Sequence, residues 1–148
     1  MTEMGSLSRR LVRECHQQGD ERRIGQIVDQ LSDMFSSVTN ALHVRNGGLI
    51  GLAGTAIALG VDIAPYMERF LEHLLVCFSD PENRVRYFAA ECLYNIAKVS
   101  KGEVLVYFNP IFDALSKVCC AIVFNTLSDL PLARGRPGAI CQERCRAS

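Results

Sequence analysis

Apolar residues recur along this chain every three or four positions, in stripes broken by polar, glycine or proline positions, and this spacing predicts six helices. In the first, a short one, Leu7, Leu11 and Cys15 repeat at four-residue intervals until Gly19-Asp20 stops it. The second starts near Asp20, a good N-cap residue, and aligns Ile24, Ile27, Val28, Leu31 and Phe35 before the polar stretch Ser36 to Asn40. The third is the uncharged run Asn46 to Val61. Asp62 is expected to cap the fourth, with Pro65 in its first turn and Ile63, Met67, Phe70, Leu71, Leu74 and Phe78 on its buried face. Asp80-Pro81 then marks the start of the fifth helix, as N-cap and first helical residue, and Gly102 its end. Its core stripe is Val85, Ala89, Cys92, Ile96 and Val99, with Ala90, Leu93 and Ala97 alongside. The sixth, from about Glu103, carries Val104, Phe108, Ile111, Phe112, Leu115 and Val118, is expected to kink at Pro110, and runs on through Cys119 and Cys120.

Two of these helical pairs are copies of one another. Val44-Arg45 returns 41 residues later as Val85-Arg86, Leu52 as Leu93, Ala56 as Ala97, Tyr66 as Tyr107 and Leu74 as Leu115. Only six of the 35 aligned positions are identical, so the likeness lies in the type and spacing of residues. A two-helix period of about 40–47 residues is the mark of HEAT and armadillo arrays, whose stacked pairs work through surfaces rather than clefts. The expected fold is therefore all-α, a HEAT/armadillo-like right-handed helical solenoid of about two and a half repeats. Residues 1–19 form a remnant of a preceding repeat, 20–118 the repeats themselves, and 119–148 a helical extension and then a tail expected to be disordered from residue 128.

Composition narrows the function. Sixteen basic residues balance 16 acidic ones, so there is no basic excess of the kind that nucleic acid attracts, and no nucleic-acid partner is expected. The N-terminus lacks the apolar run of a secretory signal. Cys15, Cys77 and Cys92 fall in helical core stripes, where a reduced thiol is a small apolar residue, and a reducing, cytosolic compartment follows. As a helix the uncharged third segment would be about 24 Å long, short of the roughly 30 Å needed to span a bilayer, and it carries five glycines. A transmembrane reading is therefore disfavoured.

No catalytic constellation emerges. Gly47-Gly48-x-x-Gly51-x-x-Gly54 lacks both the spacing and the following lysine of phosphate-binding loops, and the plainer reading is close helix packing. Cys141 and Cys145 offer half a metal site with no further ligands nearby, and His16, His43 and His73 stand alone. No cofactor or metal is expected. The charged positions Asp80, Arg86 and Arg45 are more informative. In arrays of this type the acid of the inter-helix turn and the arginine six residues on can ladder between repeats. Thr39 replaces the acid in the earlier copy, so an incomplete ladder is expected, with a helix cap and a solvated arginine as the plainer alternative.

The strings GGLIGLA (47–53), IALG (57–60), RVRYFAAECLYNIAKV (84–99) and FNPIFDALSKV (108–118) make the chain closely resemble a known family. This is the N-terminal HEAT region of the vacuole-morphology scaffolds of PIKfyve-type lipid kinase complexes, and the likeness runs from about Leu11 to Val118. The resemblance implies a non-enzymatic scaffold that binds a phosphatidylinositol 3-phosphate 5-kinase. It thereby supports phosphatidylinositol 3,5-bisphosphate synthesis on the cytosolic face of vacuolar and late endosomal membranes. A Sac-type phosphatase would be engaged only indirectly and not by this fragment. The tail after Val118 departs from the family pattern. The competing expectation is a generic HEAT adaptor in vesicle transport.

A binding face can be nominated from spacing. On the fifth helix Arg84, Tyr87, Glu91, Tyr94 and Lys98 form one ridge with two aromatics among charges, typical of interface anchors. Stepping back by the repeat reaches His43, Asn46, Ile50, Ala53 and Ile57 on the third helix, and Ile50 and Ile57 are expected to extend the patch. The plainer reading is that loops bury the isoleucines and the tyrosines merely pack on the stack. At the other end, Phe108, Ile111, Phe112 and Leu115 are expected to lack a covering helix, favouring aggregation or dimers through that end.

Overall fold

The computed structural model describes residues 3–128, the backbone alone beyond Val118. Six α-helices follow one another: α1 (Glu3–Gln18), α2 (Glu21–Ser36), α3 (Leu42–Leu59), α4 (Met67–Val76), α5 (Asn83–Ser100) and α6 (Phe108–Ser128). Tight 3₁₀ turns at Gly60–Tyr66, Cys77–Ser79 and Glu103–Tyr107 punctuate the chain after α3, α4 and α5. Helices α1, α3 and α5 lie side by side in one layer, and α2, α4 and α6 in the other. The pairs α2–α3 and α4–α5 repeat, with α1 ahead of them and α6 behind: an all-α repeat solenoid.

The core runs between the layers. Phe35, Phe70, Leu49, Leu52, Ile63 and Leu74 are fully enclosed, each contributing about 1.5–3 kcal/mol by leaving water. The stripes expected for α2 and α4 are the buried ones, Ile27 being partly covered. Within Leu42–Ser79 one window is apolar enough to cross a bilayer, but half of it is buried against neighbouring helices, as in a core helix.

Helix α1 is longer than expected and rotated. Its buried residues are Gly5, Ser8, Val12 and Cys15, while Leu7 and Leu11 are exposed. Small residues face α3 because the two helices approach very closely: Ser8 Oγ donates to the Gly51 carbonyl at 2.9 Å and lies 2.9 Å from Thr55 Oγ1.

Several boundaries also differ from expectation. Asp62 does not cap α4; it lies in the preceding 3₁₀ turn, with Pro65 near that turn's end. Asp80 does not cap α5 either, since the helix begins at Asn83 and the Asp80 carboxylate accepts from the Glu82 N–H at 3.0 Å. Pro110 falls in the first turn of α6, where a missing N–H breaks no helical bond, so no proline kink is called for. The tail expected to be disordered lies outside the described residues, apart from Ser128, the last residue of α6.

The two repeats end their second helices with the same backbone turn, but only one has the residue for it. Gly60 (φ 59°, ψ −124°) closes α3, and its counterpart closing α5 is Lys101 (φ 52°, ψ −115°), not Gly102 at φ −77°. That region suits glycine and strains a residue with a Cβ. Lys101→Gly is therefore expected to raise stability by about 1 kcal/mol, read as a higher urea midpoint at unchanged slope.

Candidate partner-binding surface

Exposed on α5 are all five residues of the expected ridge: Arg84, Tyr87, Glu91, Tyr94 and Lys98. Tyr87 and Tyr94 leave 65% and 64% of their surface in water, an unusual exposure for aromatics on a helix otherwise packed into a stack. Both rings are held by neighbours. Tyr87 meets Phe88 edge to face with centroids 5.4 Å apart, and Lys98 Nζ sits 5.9 Å from the Tyr94 centroid, within cation–π range. A helix start at Asn83 puts Arg84 in the first turn and Lys98 in the last, so the ridge spans the whole helix.

The α3 part of the patch is different in kind. Ile50, Ala53 and Ile57 are half-buried in a groove between α1 and α5, where Ile50 and Ile57 stand two turns apart. His43 is exposed, but Asn46 is buried and contributes nothing to the face. Spacing alone missed the groove's walls: Arg9 from α1, and Phe88 and Asn95 from α5. Phe88 had a signal, because it stands 41 residues after Gly47, a bulky ring in place of a hydrogen. The groove holds about 160 Å³, below the roughly 300–1,000 Å³ of small-molecule sites. That is room for one or two apolar side chains rather than for a whole metabolite. Glu91 joins the two parts, lining the groove while standing on the ridge.

The charged positions tie the two repeats together. Arg45 of the first repeat forms a bidentate ion pair with Asp80 of the second, through Nη1 at 3.3 Å and through Nη2, and both side chains are only 6% exposed. Arg45 Nε also donates to the Phe35 carbonyl at 3.1 Å. Burial by itself would push the Asp80 carboxyl up. The bond from Arg45, the Glu82 N–H and the charges of Arg45 and Arg86 outweigh it and hold the group below its usual range. The same bond raises Arg45 against its own cost of burial. Arg86 is not a free surface charge, since it donates to the Asp80 and Pro81 carbonyls and to Asn83 Oδ1. Thr39, in the earlier turn, bonds Ser37 at 2.7 Å. Arg45 thus takes its acid from the following repeat and needs none from its own.

Chemistry is sparse elsewhere. Among the described residues no group of three or more potential metal ligands occurs. His16 is not isolated as expected: its Nε2 lies 3.3 Å from Asp62 Oδ2 in an exposed pair. Cys15, Cys77 and Cys92 are buried free thiols. Burial pushes Cys77 up to about 11, despite nearby Arg45, and pushes Cys92 higher still, so neither is a nucleophile at neutral pH.

A two-layer helical repeat with an aromatic ridge beside an apolar groove defines an all-α repeat module that presents one exposed aromatic face. The family model described as the vacuolar 14 Fab1-binding region matches residues 43–126, and the chain belongs to that family. The match covers α3 to α6 and continues past Val118. Over 110 residues the chain is 48% identical to the Vacuole morphology and inheritance protein 14 of Saccharomyces cerevisiae. It is 44% identical over 110 residues to the Schizosaccharomyces pombe VAC14 homolog, and 42% over 108 residues to that of Arabidopsis thaliana. These alignments cover 73–74% of this chain but only 12–14% of the relatives. No solved structure matches.

Proposed function

We propose that this chain is a non-enzymatic scaffold module that binds a Fab1/PIKfyve-type phosphatidylinositol 3-phosphate 5-kinase through the α5 ridge and the adjoining groove. In that role it supports phosphatidylinositol 3,5-bisphosphate synthesis at the vacuolar and late endosomal membrane, which it reaches through the complex. The observation that carries the reading is that the Fab1-binding match includes Ile50, Ile57, Arg84, Tyr87, Glu91, Tyr94 and Lys98. These are also the residues that combine exposed aromatics with a mostly apolar recess, the usual composition of binding hot spots. The family is named for binding rather than catalysis, in keeping with a scaffold.

Tyr94→Ala with Ile57→Asp is expected to abolish pull-down of the kinase while the far-UV helical signal persists. Tyr87→Ala with Tyr94→Ala, which touches only exposed rings, should weaken binding at least tenfold, about 1.4 kcal/mol. Undiminished binding by both folded variants would remove this face as the interface. Recovery of coat or transport factors in place of a lipid kinase would favour a vesicle-transport adaptor.

A further inference from the structure

Leu105 and Val106 sit side by side on the tight turn between α5 and α6, 68% and 79% exposed. Val106 is the most exposed large apolar residue among those described. Forty-one residues earlier their counterparts are Ala64 and Pro65, which stay exposed although α5 packs against their turn. Both positions therefore lie on an edge of the solenoid that a following repeat does not cover. Phe108, Phe112 and Leu115 of α6 differ: their counterparts Met67, Leu71 and Leu74 are buried, so a following repeat would cover them. Ile111, expected to be open with them, is already partly buried. Along the edge itself, the turn after α3 adds the exposed Val61.

Lys101 opens the same turn in a left-handed conformation that suits glycine, and the earlier repeat has Gly60 there. Strain of this kind marks positions held for what the side chain does. A lysine at that point gives up stability and places a cation on the edge, beside Leu105 and Val106. Lys98, in the last turn of α5, is a second exposed cation. Glu103 offsets one of the two, while Asp62 on the neighbouring turn is already paired with His16.

We infer that the α5–α6 turn touches an anionic bilayer surface directly, inserting Leu105 and Val106 and pairing Lys101 with lipid phosphates. Protein hot spots fill recesses ringed by contacts that exclude water. Here the aliphatics stand at the tip of a turn with a lysine stem beside them. That form suits a bilayer surface, where the aliphatics enter the boundary between headgroups and acyl chains and the ammonium group stays among anionic headgroups. The contact adds to the membrane association proposed for the kinase complex and does not pass through the tyrosine ridge.

Flotation of the full chain with vesicles tests this with no kinase present, so its outcome is independent of kinase binding. The chain should float with phosphatidylserine–phosphatidylcholine vesicles, stay in solution with phosphatidylcholine alone, and be released by added salt. Lys101→Gly should bind the anionic vesicles about fivefold less while its urea midpoint rises, two readouts moving in opposite directions. Leu105→Asp with Val106→Asp should not float, yet should keep its helical signal and its pull-down of the kinase. A wild type that stays in solution with anionic vesicles, equal flotation with both vesicles, or undiminished flotation of Lys101→Gly would each overturn the inference. Loss of kinase pull-down by the double variant with flotation retained would also overturn it, and would assign this edge to a protein interface.

Discussion

Asp80→Ala is expected to destabilise the chain by about 3–5 kcal/mol, a large share of the roughly 5–15 kcal/mol that holds a small domain folded. The cost comes less from a lost attraction than from what remains: the Arg45 guanidinium, buried and stripped of its carboxylate. Replacing both partners, as Arg45→Met with Asp80→Leu, removes the stranded charge and should recover most of the loss. A urea-unfolding cycle of the two single variants and the double measures it, and equal costs for the Asp80 single and the double variant would refute the argument. The pair also sets a pH dependence. The Asp80 pKa is lower folded than unfolded. Its contribution is therefore complete above the ordinary carboxylate value near 4 and is lost as pH falls from there through the folded value. The double variant should lack this part of the acid sensitivity.

Gly54→Ala is expected to cost about 1–3 kcal/mol or more, because a Cβ there would lie 2.5 Å from the Gly5 carbonyl oxygen of α1. Backbone does not swing aside as a side chain does, so α1 and α3 would have to separate, loosening the Ser8 bonds to Gly51 and Thr55. Gly51 is a milder case. Its added Cβ meets the Leu31 Cδ2 at 2.6 Å, the far end of a flexible side chain, so Gly51→Ala should cost clearly less. Thermal melts of the two variants provide the comparison, and phosphate or nucleotide should leave the wild-type midpoint unchanged. A ligand-dependent rise would reinstate a phosphate-binding role for the glycine run.

The repeat, the helix count and the stripes of α2 and α4 were legible because large aliphatics at helical spacing announce a buried face. Helix α1 was not, for the opposite reason. Its tight face is made of Gly5 and Ser8, which carry no hydrophobic signal, while Leu7 and Leu11 draw the eye to a face that stays in water. The starts of α4 and α5 were misplaced because Asp62 and Asp80 look like caps, yet their carboxylates are engaged by His16 and Arg45, partners brought near only by tertiary packing. The incomplete ladder had the same origin: composition names the charges, but only the stack shows that Arg45 reaches forward to the next repeat. The α5 ridge was readable from helical spacing. The groove beside it was not, since Arg9 lies ahead of the repeat read from the sequence, which starts at Val44, and only the fold sets it beside Ile50 and Phe88.

The close seam between α1 and α3 makes the order in which the stack comes apart unequal at its two ends. Helix α1 is clamped by glycine-to-backbone contact and by paired hydroxyls, and α3 is gripped by α1, α2 and α5 together. Helix α6, by contrast, holds on through Ile111, Ala114 and Val118 among the described side chains. In a stack whose members touch only near neighbours, opening starts where the last interface is thinnest. Among the described contacts, the α1–α3 seam is therefore expected to be the last to open, after α5 and its tyrosines have loosened.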